Sequence, residues 1–106
     1  MIILVSFTVL IVGEDDDIVE EYIDDNLVIS EIMYGPERDS TIMLRFIYEW
    51  GITTFNCLQV PILKNEMIAS RKHVADAPKL ESLEHLIKMC DRAKAEPHLY
   101  LRFIGD

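Results

Sequence analysis

Positive charge is almost missing from the first half of the chain. The 106 residues include 10 lysines and arginines against 19 aspartates and glutamates, which gives a formal net charge of −9. Up to Trp50 the only basic residues are Arg38 and Arg45, so nearly all of the excess negative charge lies in this half. A strongly anionic protein is repelled by nucleic acid and by anionic membrane surfaces. Direct binding to either is therefore not expected.

Cysteine and glycine are also scarce. Cys57 and Cys90 are the only cysteines, and without a secretory signal they indicate reduced thiols in a cytoplasmic protein. The four glycines form no phosphate-binding loop, and no linker or repeat is visible. Half of the residues are hydrophobic, which is enough for a core. The length fits a single domain over residues 1–106.

A long hydrophobic run is missing as well. The opening stretch MIILVSFTVLIV is short of the about 20 apolar residues that span a membrane. It also lacks the basic start and the cleavage site of a signal peptide. Its alternate positions from Ile3 to Ile11 are all apolar, so the stretch predicts a buried β-strand over residues 2–12, near the centre of a sheet.

The most unusual segment is GEDDDIVEEYIDDN, Gly13 to Asn26, in which eight of the fourteen residues are acidic. On a helical wheel its apolar residues lie on one side and its acids occupy the rest, which predicts an amphipathic helix over Asp15–Asp25. Asp15 would cap this helix and Asn26 would end it. Like charges four residues apart would cost such a helix on the order of 1–2 kcal/mol. Because the sequence keeps these acids despite the loss of helix stability, we expect the concentrated negative charge to have a function.

Strand patterns dominate the middle of the chain. Strands are predicted over residues 27–34, 41–50 and 52–60, with a turn over residues 35–40. In residues 41–50 an apolar face and a half-polar face alternate most clearly, and the apolar even positions are expected to face the core. These positions are Ile42, Leu44, Phe46, Tyr48 and Trp50.

The last third contains the strongest helix. Residues 78–95 carry a leucine stripe, with Asp76 as a suitable N-cap, and a final strand is predicted over residues 98–105. Residues 62–76 fit either a short helix or the return arm of a hairpin, and the hairpin is favoured. Together the elements predict an α+β fold with an antiparallel sheet of 4–6 strands and two helices on one face. Their order, β–α–β–β–(β)–α–β, resembles a ferredoxin-like sandwich.

Metal-binding patterns are absent from the sequence. A calcium loop beginning at Asp15 fails at its fifth, sixth and twelfth positions, which are Val19, Glu20 and Asn26. The three histidines are scattered and form no zinc-binding spacing with the cysteines. No metal or other cofactor is therefore expected.

A catalytic signature is absent too. No GxSxG motif occurs, and neither cysteine has a histidine at a recognisable spacing. Paired carboxylates are abundant, but acid–base catalysis requires one of them to be desolvated. Carboxylates on the open face of a small helix are not, so enzymatic activity is not expected.

A dense anionic surface is best explained by a cationic partner, because it accelerates the encounter with one. In composition and charge layout the chain resembles, as a class, small acidic immunity proteins that neutralise toxins. This likeness implies an inhibitor that covers the active cleft of a basic toxin effector such as a nuclease. The residues expected to bind are six acids of the predicted helix and two of the following turn. They are Asp16, Asp17, Glu20, Glu21, Asp24, Asp25, Glu37 and Asp39.

Apolar anchors would add affinity to such a surface. The candidates are Met33, Tyr34, Trp50 and Tyr100, each of which also fits the core. Two other functions fit the same sequence. One is a phage-encoded nucleic-acid mimic that inhibits a host defence or transcription complex, and the other is a homo-oligomeric structural or regulatory module that assembles through its sheet.

Overall fold

A computed structural model of the chain describes residues 4–105. Its strands are β1 Thr8–Val12, β2 Ile18–Ile23, β3 Ile52–Phe55 and β4 Tyr100–Ile104. Its helices are α1 Val28–Met33, α2 Val60–Ser70 and α3 Ala77–Lys94. Short 3-10 turns lie at Arg38–Ser40, Leu44–Phe46 and Arg71–His73.

The strands form one antiparallel sheet in the order β2–β1–β4–β3. Val9 of β1 lies opposite Tyr22 on one side and Phe103 on the other, and Thr53 of β3 lies opposite Phe103. The strands β2 and β3 are therefore the two edges of the sheet. The predicted central position of the first strand is confirmed over β1; residues 4–7 of the predicted range 2–12 are not in a strand, and residues 2 and 3 lie outside the described residues.

The helices cover one face of this sheet. Val9, Leu101 and Phe103 belong to the same buried hydrophobic cluster as the apolar residues of all three helices. Leu10 and Val12 are also buried but lie outside that cluster, because alternate side chains of a strand point to opposite faces. The helices form a single layer on this face, and the second face, called the open face here, is covered by no helix of residues 4–105.

The predicted α+β class and the four-stranded antiparallel sheet are confirmed. The ferredoxin-like order is not confirmed, because the elements follow one another as β–β–α–β–α–α–β. Three helices, rather than the expected two, pack on the sheet. The long helix was predicted correctly: α3 spans Ala77–Lys94, and the Asp76 carboxylate accepts the backbone N–H of Lys79.

The predicted acidic helix over Asp15–Asp25 is wrong, because most of this segment is the edge strand β2. A five-residue turn, Gly13–Asp17, joins β1 to β2, and Asp16 in it adopts the left-handed conformation with φ 62°. Aspartate tolerates this conformation better than most residues. In a strand, the acids are no longer stacked four residues apart along a helix, and pairing with β1 outweighs the local helical pattern.

The predicted strand over residues 27–34 is also wrong, because this segment forms α1. The Asp24 carboxylate accepts the backbone N–H groups of Val28 and Ile29, at 3.2 Å and 2.8 Å. Amide groups at the start of a helix have no partner within the helix. A side chain just before the segment therefore begins the helix, and the apolar residues Ile29 and Met33, four positions apart, then face the core.

Residues 41–50 do not form the predicted strand. Ile42, Met43 and Leu44 instead direct their backbone N–H groups at the Glu66 carboxylate of α2. This bends the chain into a 3-10 turn. Of the five positions expected to face the core only Leu44 is buried; Ile42, Phe46, Tyr48 and Trp50 are exposed. Ile47, expected on the other face, is buried. The contact with Glu66 spans more than 20 residues of sequence and leaves no local pattern.

For residues 62–76 the favoured hairpin arm is wrong and the alternative, a helix, is correct, because they contain most of α2. Pro61 lies in the first turn of this helix, where a missing N–H costs nothing. The strand predicted over residues 52–60 is accordingly shortened to β3, Ile52–Phe55. The final strand is confirmed as β4, Tyr100–Ile104.

Candidate protein-interaction site

Six of the twelve acids in residues 1–50 lie on the β1–β2 hairpin, four in its turn and two on β2. In its turn, the Gly13 N–H donates to the Asp17 carbonyl at 2.9 Å, and the Asp16 N–H donates to the Gly13 carbonyl at 3.1 Å. A Cβ atom on Gly13 would collide with the Asp17 carboxylate. A larger residue at this position would therefore displace the Asp17 side chain, and the turn exposes its carboxylates at one end of the sheet.

Two predicted binding acids of the hairpin are neutralised within the protein. Asp16 forms an ion pair with Arg102 of β4 at 2.8 Å. Glu20 forms one with Arg92 of α3 at 2.8 Å and lies 3.5 Å from the His85 ring. These two ion pairs link the hairpin to β4 and α3. Less of the hairpin's negative charge is therefore available to a partner than the sequence indicated.

Asp24 is withdrawn from the surface entirely. Its side chain is buried and accepts the N–H groups of Val28 and Ile29. Burial raises the pKa of Asp24 above its ordinary value, while the bonds from Ile29 and Val28 act to lower it. Its role is to begin α1, so it is left out of the binding surface.

The two secondary acids lie away from the hairpin in sequence. Glu37 lies 3.1 Å from the His73 ring and 3.3 Å from the Lys72 ammonium group. These partners, His73 foremost, hold the pKa of Glu37 below its ordinary value. Asp39 is exposed and forms no ion pair within the described residues. The structure therefore gives Glu37 a partner and leaves Asp39 on the surface.

Three of the predicted binding acids in the hairpin region are both exposed and without an ion pair inside residues 4–105: Asp17, Glu21 and Asp25. Asp15 in the turn shares both properties but was not among the predicted binding residues. Glu21 lies opposite Leu10, on the open face of the sheet. Exposed apolar side chains accompany these acids on β2: Ile18 is 61% exposed and Ile23 is 51% exposed. One edge strand thus presents anionic and aliphatic side chains together.

The backbone of β2 is also available at this edge. The Asp24 N–H donates to the Phe7 carbonyl at 2.9 Å. Because backbone groups alternate along an antiparallel ladder, those of Tyr22 face β1 and those of Glu21 face outward. Nothing in the described part of the chain pairs with the outward groups of Glu21. An extended partner segment could add to the sheet here.

The four candidate apolar anchors differ in their exposure to solvent. Met33 is buried in the core. Tyr34 is half-buried and donates its hydroxyl proton to Glu49. Tyr100 is half-buried on β4, opposite Val12 on the open face. Trp50 remains an exposed candidate.

A second exposed apolar segment was missed by the sequence reasoning. Phe46, Tyr48, Trp50 and Ile52 are all more than half exposed, and Ile47 between them is buried. The alternation itself was recognised from the sequence, but its apolar side was assigned to the core. The absence of charge from Trp50 through Leu63 gives no indication of which side faces solvent.

An open cleft of about 370 Å³ lies between β2 and α3. Inside it, the Ser82 hydroxyl accepts hydrogen bonds from the Tyr22 hydroxyl at 2.8 Å and from the Asn26 amide at 2.7 Å. The His85 ring stacks on Tyr22, with 4.2 Å between ring centroids. Activation of a serine needs a base that takes its proton, whereas both partners of Ser82 are donors. This network holds the hairpin on α3.

In the described part of the chain, the cysteines and the acids form neither a reactive-thiol site nor a metal site. Burial raises the pKa of Cys90 to about 12, so its thiol stays protonated and weakly nucleophilic. Cys57 is half-buried, and both cysteines are free thiols. Within residues 4–105, no group of three or more histidine, cysteine, aspartate or glutamate side chains is arranged to hold a metal ion.

Comparisons with protein-family models, with curated proteins and with solved structures found no match to this chain. Among the helices of residues 4–105, none combines the length and the apolar character needed to cross a membrane.

Proposed function

We propose that this protein is a non-enzymatic inhibitor of the immunity-protein class, which neutralises a basic toxin effector in the cytoplasm. The effector would be a nuclease domain with a cationic active cleft. In this proposal the edge strand β2 and its hairpin turn enter or cover that cleft. The free thiols of Cys57 and Cys90 are compatible with a reducing compartment.

One observation carries the proposal: unpaired acids and exposed aliphatic side chains lie together on the edge strand β2 and the turn before it. Asp17 and Glu21 carry charge that no described residue neutralises, and Ile18 and Ile23 provide exposed apolar surface beside them. Charge complementarity raises association rates and sets specificity, while buried apolar anchors supply most of the affinity. A binding strand needs both, and β2 has both.

The structure reduces the set of residues that would act. Asp17, Glu21 and Asp25 form the proposed anionic contact, since Asp24 is buried and Asp16 and Glu20 have internal partners. A cationic cleft could compete for the two internally paired acids, because exposed ion pairs contribute little to stability.

Affinity capture from the native host, followed by titration of the captured protein, tests this function. The wild type should capture a basic protein with nuclease activity and abolish that activity at equimolar concentration. The double variant Asp17→Asn, Glu21→Gln should bind it at least tenfold more weakly and with a smaller salt dependence, because two of the three steering charges are removed.

The matched control is Glu81→Gln, Glu96→Gln, which removes the same amount of charge from exposed positions on and after α3. This control should bind as the wild type does. Equal binding by both double variants would show that net charge, rather than the β2 edge, attracts the partner. Capture of a partner whose activity is unchanged on binding would contradict the inhibitor role.

A further inference from the structure

The opposite edge of the sheet, formed by β3, is uncharged. Its strand Ile52–Phe55 and its flanks carry no charge, since no lysine, arginine, aspartate or glutamate occurs from Trp50 through Leu63. Natural proteins usually protect an open edge strand with charged residues, proline or a covering element. Nothing of this kind lies within Ile52–Phe55, so the edge is open to pairing.

The backbone geometry of β3 shows which groups are available. The Gly105 N–H donates to the Gly51 carbonyl at 2.8 Å. By the alternation of an antiparallel ladder, Thr53 faces β4 with its N–H and carbonyl, and the corresponding groups of Ile52 and Thr54 face outward. Within residues 4–105 these outward groups have no partner strand. Two donors and two acceptors are thus presented by each molecule.

We infer that a second copy of this chain occupies the β3 edge, so that two molecules form a symmetric dimer with a continuous eight-stranded sheet. A two-fold axis at Thr53 places Ile52 of one copy opposite Thr54 of the other. All four outward groups of each strand are then paired, giving four intermolecular hydrogen bonds. This inference is independent of the proposed inhibitor function.

The flanks of β3 fit this arrangement. In an antiparallel dimer, the segment before β3 in one copy lies near the segment after β3 in the other. Trp50 precedes the strand and is 59% exposed, and Leu58 follows it and is 79% exposed. The two-fold axis brings these apolar side chains together, where each covers surface that water otherwise contacts.

The charge layout favours a second copy at this edge and not at the other. The acidic strand β2 is the far edge of the sheet, so a dimer through β3 separates the two β2 strands by seven strand intervals, about 34 Å at about 4.8 Å each. This exceeds the Debye length of about 8 Å at physiological salt. Two chains of charge −9 can therefore associate through β3 without bringing their acidic edges together.

Sedimentation equilibrium of the full chain over a range of concentrations tests the dimer. We expect a mass twice 12.3 kDa at high concentration and little weakening of the dimer at high salt. A monomer throughout the range would overturn the inference. Dimerisation through apolar and backbone contacts is distinguished from the proposed effector binding, which should weaken with salt.

Two variants locate the contact. Thr54→Pro removes an outward N–H without removing a ladder bond to β4, and Ile52→Lys adds charge to the edge. Each should raise the dimer dissociation constant at least tenfold while the circular dichroism spectrum is unchanged. If Thr54→Pro fails to fold, Ile52→Lys still decides the question.

The matched control is Ile23→Lys on the β2 edge, which should dimerise as the wild type does or better. Loss of the dimer in Ile23→Lys with retention in Ile52→Lys would place the interface on β2 and overturn the inference.

Discussion

The Asp24 carboxylate accepts the backbone N–H of Ile29 at 2.8 Å and so joins the end of β2 to the first turn of α1. This buried contact turns the chain from the edge of the sheet to the helical layer. It also removes one carboxylate from a surface on which the sequence indicated a continuous row of charge.

Replacement of Asp24 by alanine should lower the free energy of unfolding by about 1–3 kcal/mol, because the N–H groups of Val28 and Ile29 lose their buried acceptor. Urea denaturation monitored by circular dichroism measures the change. The control is Asp25→Ala, which alters an exposed neighbour and should stay within about 0.5 kcal/mol of wild type. Equal effects in both variants would show that Asp24 does not hold α1.

The same residue predicts a pH dependence. Burial raises the pKa of Asp24 in the folded state above its ordinary value of 3.8. A group with a raised pKa stabilises the fold fully below its unfolded pKa and loses that contribution as the pH rises through its folded value. The stability difference between wild type and Asp24→Ala should therefore grow as the pH is lowered toward 3.8. A difference that shrinks would mean that the N–H bonds outweigh burial.

Glu66 should matter more for stability than its position on a helix surface suggests. Its carboxylate accepts the N–H of Ile42 at 2.6 Å and that of Leu44 at 2.7 Å. Glu66→Gln places an amide group against at least one of these donors, and we expect a loss of about 1–3 kcal/mol in urea denaturation. Glu81→Gln, on the exposed face of α3, serves as the control and should be neutral. A neutral Glu66→Gln would show that residues 42–44 bend without this acceptor.

The orientation of residues 46–50 can be tested with two substitutions. Ile47→Ala should cost about 2–5 kcal/mol, because it leaves a cavity in the core. Trp50→Ala should change the stability of the monomer by no more than about 0.5 kcal/mol. Measurements at low protein concentration keep association from contributing. The reverse ranking would restore the orientation expected from the sequence, with the aromatic residues in the core.

Trp50 is the only tryptophan, so its fluorescence reports this region alone. In dilute solution its emission should be that of a solvated indole and should be quenched readily by acrylamide, since the side chain is 59% exposed. A blue-shifted, protected emission at every concentration would place the indole in the core.

Long, strongly periodic elements were predictable from the sequence. The helix α3 has a leucine stripe, an N-terminal proline and an Asp76 cap, all of which act within a few residues. The strand β4 was also found, because its buried positions repeat with a period of two, and β1 was found as a continuous apolar run, which is buried from Val9 to Val12. In these elements the local preference and the tertiary environment agree.

Short elements were not predictable, because a few residues fit two periods. The six-residue segment IVEEYI of β2 fits two structures. Its apolar residues would lie on one side of a helix, and the same pattern is compatible with an edge strand that is exposed on one face. The segment pairs with β1, and neither this pairing nor the contact of Glu66 with residues 42–44 leaves a local signal. Asp24 was assigned to the binding surface for the same reason, because the segment was predicted as a helix with its acids exposed.

The sequence by itself determined the composition of the core, the net charge of −9 and its concentration before Trp50, and the places of α3, β1 and β4. Only the tertiary structure decided which acids have internal partners, which side of residues 46–52 faces solvent, and that the acidic strand β2 and the uncharged strand β3 lie at opposite edges of one sheet. The reason is physical: charge and periodicity are properties of neighbouring residues, whereas ion pairs, burial and edge positions depend on contacts between residues far apart in the chain.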